Sequence, residues 1–130
     1  MANILVIEDN EQNLYLTTFI LERRGHRVTA ARDGSQGIQL AQELCPALML
    51  LDIQLPVMDG YAVAEALRRD PALAHIPIVA VTSYAMAGDR ERILAAGCNG
   101  YIEKPINPET FMTEVESFLS AAEIPLAGMD

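Results

Sequence analysis

Leu48-Met49-Leu50-Leu51-Asp52 sets four large apolar residues in unbroken succession and ends them in a carboxylate. Ile4-Leu5-Val6-Ile7-Glu8-Asp9 has the same form near the start of the chain. A strand with one wet face alternates apolar and polar residues. An uninterrupted apolar run therefore implies a strand covered on both faces, as in a parallel sheet with helices on either side. Working outward, Asn3–Ile7, Arg27–Ala31, Ala47–Leu51, Ile78–Val81 and Gly100–Ile102 read as strands, with helix-spaced stretches between them. The fifth has the weakest composition and is placed by the alternation. Repeated βα units of this kind predict an α/β chain, (βα)₅, with a doubly wound five-stranded parallel sheet.

Helix boundaries follow from local chemistry. A first helix is expected over Glu11–Arg24, stopping at Gly25, which suits the residue after a helix end. A second follows the Asp33-Gly34 turn, with Ser35 as its cap, and ends before Pro46. A third spans Asp59–Arg69, and a fourth Ala85–Ala96, ending at Gly97. The fifth opens with Asn107 as cap, Pro108 where a missing N–H costs nothing, and Glu109 at the positive helix end. Phe111, Val115, Phe118 and Leu119 then share one stripe. This helix should fade near Glu123, with Pro125 in a tail. Residues 1–123 are thus expected as one domain and 124–130 as a short tail, with no output domain.

The 130 residues suit one domain, and a hydrophobic content of 51% argues against disorder. A net charge of −9 opposes binding to nucleic acid or anionic membranes, whose phosphates demand Lys and Arg. No apolar run nears the roughly 20 residues needed to span a bilayer. The N-terminus lacks the charged and apolar regions of a signal peptide, so a cytoplasmic location is expected. Cys45 and Cys98 have neither CxxC nor zinc spacing and read as reduced thiols.

Ligands of open parallel sheets gather beyond the carboxyl ends of the strands. There the sequence sets Glu8 and Asp9 after the first run, Asp52 after the third, Thr82 and Ser83 after the fourth, and Glu103-Lys104-Pro105 after the fifth. Clustered carboxylates need a raised pKa or a cation, and a hard divalent ion such as Mg²⁺ suits oxygen ligands. Lys104 offers an ammonium for a phosphoryl oxygen, Thr82 a hydroxyl, and one carboxylate can act as nucleophile toward phosphorus. The set describes phosphoryl transfer to a carboxylate. Singly, each piece has an ordinary reading: a solvated acid pair beside an Asn10 cap, a turn aspartate, a strand-end threonine, a surface lysine. Their joint placement at four strand ends favours the site.

Ile4-Leu5-Val6-Ile7-Glu8-Asp9-Asn10, Leu51-Asp52-Ile53-Gln54-Leu55-Pro56-Val57-Met58-Asp59-Gly60, Ile78-Val79-Ala80-Val81-Thr82-Ser83 and Gly100-Tyr101-Ile102-Glu103-Lys104-Pro105-Ile106 together resemble the receiver domains of bacterial two-component systems. The resemblance covers about Asn3 to Glu123. Ala80 to Gly97 is especially similar to single-domain receivers that regulate cell-cycle kinases. The resemblance implies a flavodoxin-like fold with strand order 2-1-3-4-5. It implies that Asp52 is the phosphoacceptor, and that Glu8 (through water), Asp9, Asp52 and the backbone carbonyl of Gln54 hold Mg²⁺. Lys104 would pair with Asp52 and then with its phosphoryl group, Thr82 would move in to bond that group, and Tyr101 would swing between outer and inner positions. Lys104-Pro105 would be cis. Gln54, Ser83 and Tyr84 would flank the access path and tune the phosphoryl lifetime. Two departures stand out: Glu8 where Asp is commoner, and Ser83 where Ala is usual.

The same resemblance implies a signalling module, not a conventional enzyme. Its phosphodonor would be a histidine kinase or histidine phosphotransfer protein. A downstream protein would read the surface of the fourth helix, fifth strand and fifth helix, and the chain would be a monomer or transient homodimer. Leu14, Tyr15, Leu16, Phe19, Ile20 and Leu21 surround the first helix, more than one buried face requires. The family register turns Leu16, Ile20 and Leu21 inward, leaving Tyr15 and Phe19 to dock the donor. Two other classes fit less well. A phosphohydrolase would carry an acidic residue where Gln54 stands, together with a cap. A flavodoxin-like cofactor binder would need a phosphate-cradling loop where Glu8-Asp9-Asn10 repels phosphate. A receiver that works without phosphorylation is a further alternative, although every expected group is present.

Overall fold

The computed structural model describes residues 2–83 and 87–128, with side chains for 2–83 and 88–119. Five strands alternate with five helices: β1 (Asn3–Ile7), α1 (Glu11–Arg23), β2 (Arg27–Ala31), α2 (Gly34–Leu44), β3 (Leu48–Asp52), α3 (Gly60–Arg69), β4 (Ile78–Thr82), α4 (Ala87–Ala95), β5 (Gly100–Glu103) and α5 (Pro108–Gly128). The sheet is parallel, in the order β2-β1-β3-β4-β5. Both the alternation and the strand order agree with expectation.

The period-two alternation of a strand divides the core into two layers. Leu5 and Ile7 of β1 and Met49 and Leu51 of β3 face Ala41, Val63, Leu67 and Ile93, on α2, α3 and α4. Ile4, Val6, Leu48 and Leu50 face the other way, onto Leu14 and Leu21 of α1 and Phe111 and Val115 of α5. β3 and β4 are buried along their whole length, which explains their continuous apolar sequence.

Several boundaries differ from the sequence reading. β3, β4 and β5 each run one residue further, taking in Asp52, Thr82 and Glu103, because the ladder continues through Ile53 N–H to Val81 O at 3.2 Å and Lys104 N–H to Thr82 O at 2.8 Å. β3 also begins at Leu48, not Ala47. Asp33, not Ser35, caps α2: its carboxylate accepts the Gln36 N–H at 2.8 Å. A carboxylate in extended backbone satisfies an orphan donor of the first turn, whereas Ser35 already lies inside that turn. Asp59 likewise caps α3, through the Ala62 N–H, and Asn107 receives the Glu109 N–H at 3.0 Å. The expected start of the fourth helix at Ala85 lies outside the described residues. α5 extends beyond Glu123, through Pro125 to Gly128, although an interior proline removes a helix hydrogen bond and crowds the carbonyl four residues back. On α1 the inward residues are Leu14, Thr17, Ile20 and Leu21, while Leu16 is only half-buried at the edge of the layer. Phe118 is half-buried, and Met112 joins Phe111, Val115 and Leu119 in the buried stripe.

Candidate functional site

Each strand delivers one part of a cluster at the carboxyl edge of the sheet. The register pairs Ile7 of β1 with Leu51 of β3, so the residues that follow, Glu8 and Asp52, come side by side. Asp52 pairs with Val81, setting Thr82 one step beyond, and Thr82 pairs with Glu103, setting Lys104 next. Asn10 caps α1 through the Asn13 N–H at 3.0 Å and turns the chain away, leaving Asp9 exposed at the rim.

Glu8, Asp52 and Thr82 are buried, at 4%, 2% and 1% exposure. Buried charges demand partners. Lys104 Nζ supplies them, lying 3.2 Å from Asp52 Oδ1 and 3.3 Å from Glu8 Oε1. Glu8 also accepts the Asn10 N–H at 3.2 Å, and Asp52 the Gln54 N–H at 3.0 Å. Burial, with Asp52 next to it, pushes the Glu8 carboxyl up to about 7, and Lys104 only partly offsets this. A cavity of about 530 Å³ opens above these groups, bordered by Asp9, Asn13, Gln54 and Ser83.

The donor set fits a hard cation. One carboxylate oxygen each from Glu8, Asp9 and Asp52 lies within 4.8 Å of the others. A Mg²⁺–oxygen distance of about 2.0–2.1 Å puts opposite ligands about 4 Å apart, within that spread. Glu8, Asp9 and Asp52 would hold such an ion, whose charge would answer the one left over when a single ammonium faces three acids.

The remaining expected residues are placed as follows. Tyr101 is half-buried on β5, paired with Ala80, with the Arg90 guanidinium 5.6 Å from its ring centre. The Lys104–Pro105 peptide is cis. Tyr15 and Phe19 are exposed and lie on one side of α1, their rings stacked 6.4 Å apart, with Arg23 5.6 Å from the Phe19 ring. Phe19 also lines a groove of about 370 Å³ with Pro108 and Met112, between α1 and α5. Tyr84 lies outside the described residues. Ser83 is exposed, its N–H 3.4 Å from Gln54 Oε1. The resemblance gave Gln54 a metal-binding carbonyl and a place on the access path, but not the bond its side chain makes: Nε2 donates to Thr82 Oγ1 at 2.9 Å. A polar residue two positions past Asp52 was the available signal, but its partner lies 28 residues away. No helix among the described residues is long and apolar enough to cross a membrane.

Residues 4–116 match the family model described as the response regulator receiver domain. The polar-differentiation response regulator DivK of Brucella anthropi is 42% identical over 120 residues, covering 92% of this chain and 98% of that protein. Among solved structures, the receiver domain of the Pseudomonas aeruginosa sensor histidine kinase PA1611, which has a magnesium ion coordinated in its active-site cleft, is 34% identical with a TM-score of 0.85, covering 92% of this chain and 98% of that one. A CheY-like receiver domain protein from Methanospirillum hungatei is 29% identical with a TM-score of 0.87, covering 95% and 97%.

Proposed function

Since this chain belongs to the response-regulator receiver family, a family of two-component signalling proteins and not of conventional enzymes, we propose that it is a stand-alone phosphorelay switch, phosphorylated on Asp52. The observation that carries this reading is the meeting of Glu8, Asp9, Asp52, Thr82 and Lys104 at one sheet edge. Residues 1–123 act as the phosphoacceptor domain, in the cytoplasm.

An Asp52 oxygen attacks the phosphorus of a phosphohistidine on a histidine kinase or phosphotransfer protein. The O–P bond forms as the P–N bond breaks, and the imidazole leaves. Lys104 holds Asp52 in place and then balances charge on the transferred group, as ammonium groups do in phosphoryl transfer. Mg²⁺, held by Asp9, Asp52 and the Gln54 carbonyl with Glu8 acting through water, would neutralise phosphoryl oxygens. The donor docks on the exposed, stacked rings of Tyr15 and Phe19, the second of which lines the α1–α5 groove. Gln54 and Ser83 border the cavity above Asp52 and, with Tyr84, set how long the phosphoryl group persists.

The acyl phosphate carries roughly −1.5 to −2 charges where the Asp52 carboxylate carried about −1, and it places them further out, beside Lys104 and Thr82. That charge draws Thr82 inward and leaves room for the Tyr101 ring, which repacks the α4–β5–α5 surface toward a downstream protein or a second copy of the chain. This is a population shift between two packings, biased by a local charge.

Incubation with Mg²⁺ and a small acyl-phosphate donor, followed by intact-mass measurement and site mapping, should give one phosphoryl group on Asp52 and none in Asp52→Asn. A label on any other residue would overturn the assignment. Phe19→Ala should slow transfer from a histidine donor and leave labelling by the small donor unchanged.

A further inference from the structure

Two arginines of α4 stack on aromatic rings of its neighbours. Arg90 sets its guanidinium 5.6 Å from the centre of the Tyr101 ring on β5, and Arg92 sets its own 4.0 Å from the centre of the Tyr61 ring on α3. Two residues turn a helix by roughly 200°, so the two contacts grip nearly opposite flanks. Between them, Ile93 is the one large apolar side chain of α4 that is buried among the described residues. The Tyr101 ring borders a groove of about 370 Å³ together with Glu103, Pro105 and Thr110, all exposed, so it stands on the outer side of β5. The inward direction differs in kind. Tyr101 pairs with Ala80, and Val81 and Thr82, which follow on β4, are both buried. A tyrosine ring can enter such a place, but the exposed Arg90 guanidinium cannot follow it without giving up its water.

We propose that Arg90 is a positioning residue that holds the Tyr101 ring outward and so sets the resting bias of the switch. This inference rests on the reading of Asp52 as phosphoacceptor and of Tyr101 as the ring that moves. The attraction between the guanidinium and the face of the ring exists only while the ring is outside. Inward movement forfeits it, and the phosphorylated arrangement must outweigh that loss. A cation–π pair at an exposed site is worth a factor of about 2–5 in such an equilibrium. Arg92 has a different task. Its partner Tyr61 stands on α3, which the switch leaves in place, so this contact survives the movement and fastens α4 in both states. The expected direction is definite: removing the Arg90 guanidinium makes the activated arrangement easier to reach.

The test uses the full chain with Mg²⁺ and trifluoroberyllate, a tetrahedral phosphoryl analogue, and reads analogue affinity by calorimetry. Arg90→Gln should bind the analogue roughly 2–5-fold more tightly than the wild type. Arg90→Lys should fall between the two, since an ammonium keeps the charge but not the flat face that stacks. Without analogue, the Tyr101 ring resonances of Arg90→Gln should shift toward their analogue-bound positions. Added to Tyr101→Leu, Arg90→Gln should change nothing; added to Tyr101→Phe, which keeps the ring, it should have its full effect. Arg92→Gln should leave the affinity at the wild-type value. Equal tightening in Arg92→Gln would mean that a general loosening of α4 is responsible, and would overturn the proposal. Unchanged or weaker binding in Arg90→Gln, or the same effect with and without the Tyr101 ring, would overturn it as well. Failure of the wild type to bind the analogue at all, or binding by Asp52→Asn equal to wild type, would instead sink the phosphoacceptor reading, and this inference with it.

Discussion

Arg68→Met should cost about 2–4 kcal/mol of stability, although no acid pairs with this arginine among the described residues. Arg68 stands in the last turn of α3, half-buried, and its guanidinium is spent on neutral acceptors. Nε donates to Gly97 O at 2.8 Å, NH1 to Ile76 O at 2.7 Å and Ala74 O at 3.0 Å, and NH2 to Asn99 Oδ1 at 2.8 Å. One side chain thereby ties the end of α3 to the loop before β4 and to the turn before β5. Burial lowers the Arg68 pKa, which marks a desolvation cost that these bonds must offset. Truncation to Met retains the stem, whose Cγ lies against Gly97, but strips the acceptors. The Ala74 carbonyl is exposed and regains water. Asn99 Oδ1 keeps the Ile78 N–H at 2.9 Å. Gly97 O and Ile76 O are partly buried, and an acceptor left unpaired in such a place costs about 1–3 kcal/mol, so the two dominate the loss. Lysine keeps the charge but not the planar fork, and Arg68→Lys should recover less than half of the loss. Urea unfolding at constant m is the assay, with a melting temperature lowered by roughly 3–5 °C for each kcal/mol. A Met variant within about 0.5 kcal/mol of wild type, the range of an ordinary surface change, would refute the reasoning.

Val57, fully exposed in the β3–α3 loop, has φ +66°, a conformation that costs a β-branched residue about 1–2 kcal/mol. Val57→Gly relieves this against an entropic penalty of roughly 0.5–1 kcal/mol, so it should stabilise slightly in urea unfolding; a destabilised variant would contradict the strain. Glu8, raised to about 7 from an ordinary 4.5 by burial first and Asp52 next, keeps a proton in the fold that the unfolded chain has released. The stability this contributes is fully present below about 4.5 and is lost as pH rises through about 7, so without divalent metal Glu8→Gln should flatten the stability–pH profile over that window. An unchanged slope would count against a protonated Glu8. Cys98 is buried and its thiol is pushed up to about 11 by desolvation, whereas Cys45 is exposed. A thiol reagent near neutral pH should label Cys45 alone until denaturant is added, and rapid native labelling of both would disprove the packing around Cys98.

How much was legible in advance depends on the range of the interaction. The unbroken apolar runs of β1 and β3 specify strands buried on both faces, and the caps at Asn10 and Asn107 act within one helical turn. Asp33 was misread for Ser35 because two cap-competent residues stand close together and only the backbone torsion separates them. Leu14 and Thr17 were not named among the inward residues of α1 because apolar residues surround that helix, and only its packing against the sheet selects a face.

By itself the sequence determined the βα alternation and the acids and hydroxyl at strand ends, since each depends on residue type and short spacing. Only the tertiary structure decided that Lys104 bridges Glu8 and Asp52, that Gln54 spans to Thr82 and Ser83, and that Arg68 binds two distant loops. Those contacts join residues far apart in the chain, brought together by parallel strand register at Glu8, Asp52 and Lys104 and by the packing of α3 against two loops at Arg68. A side chain's reach and its partner's burial are properties of the packed molecule, and no local pattern encodes them.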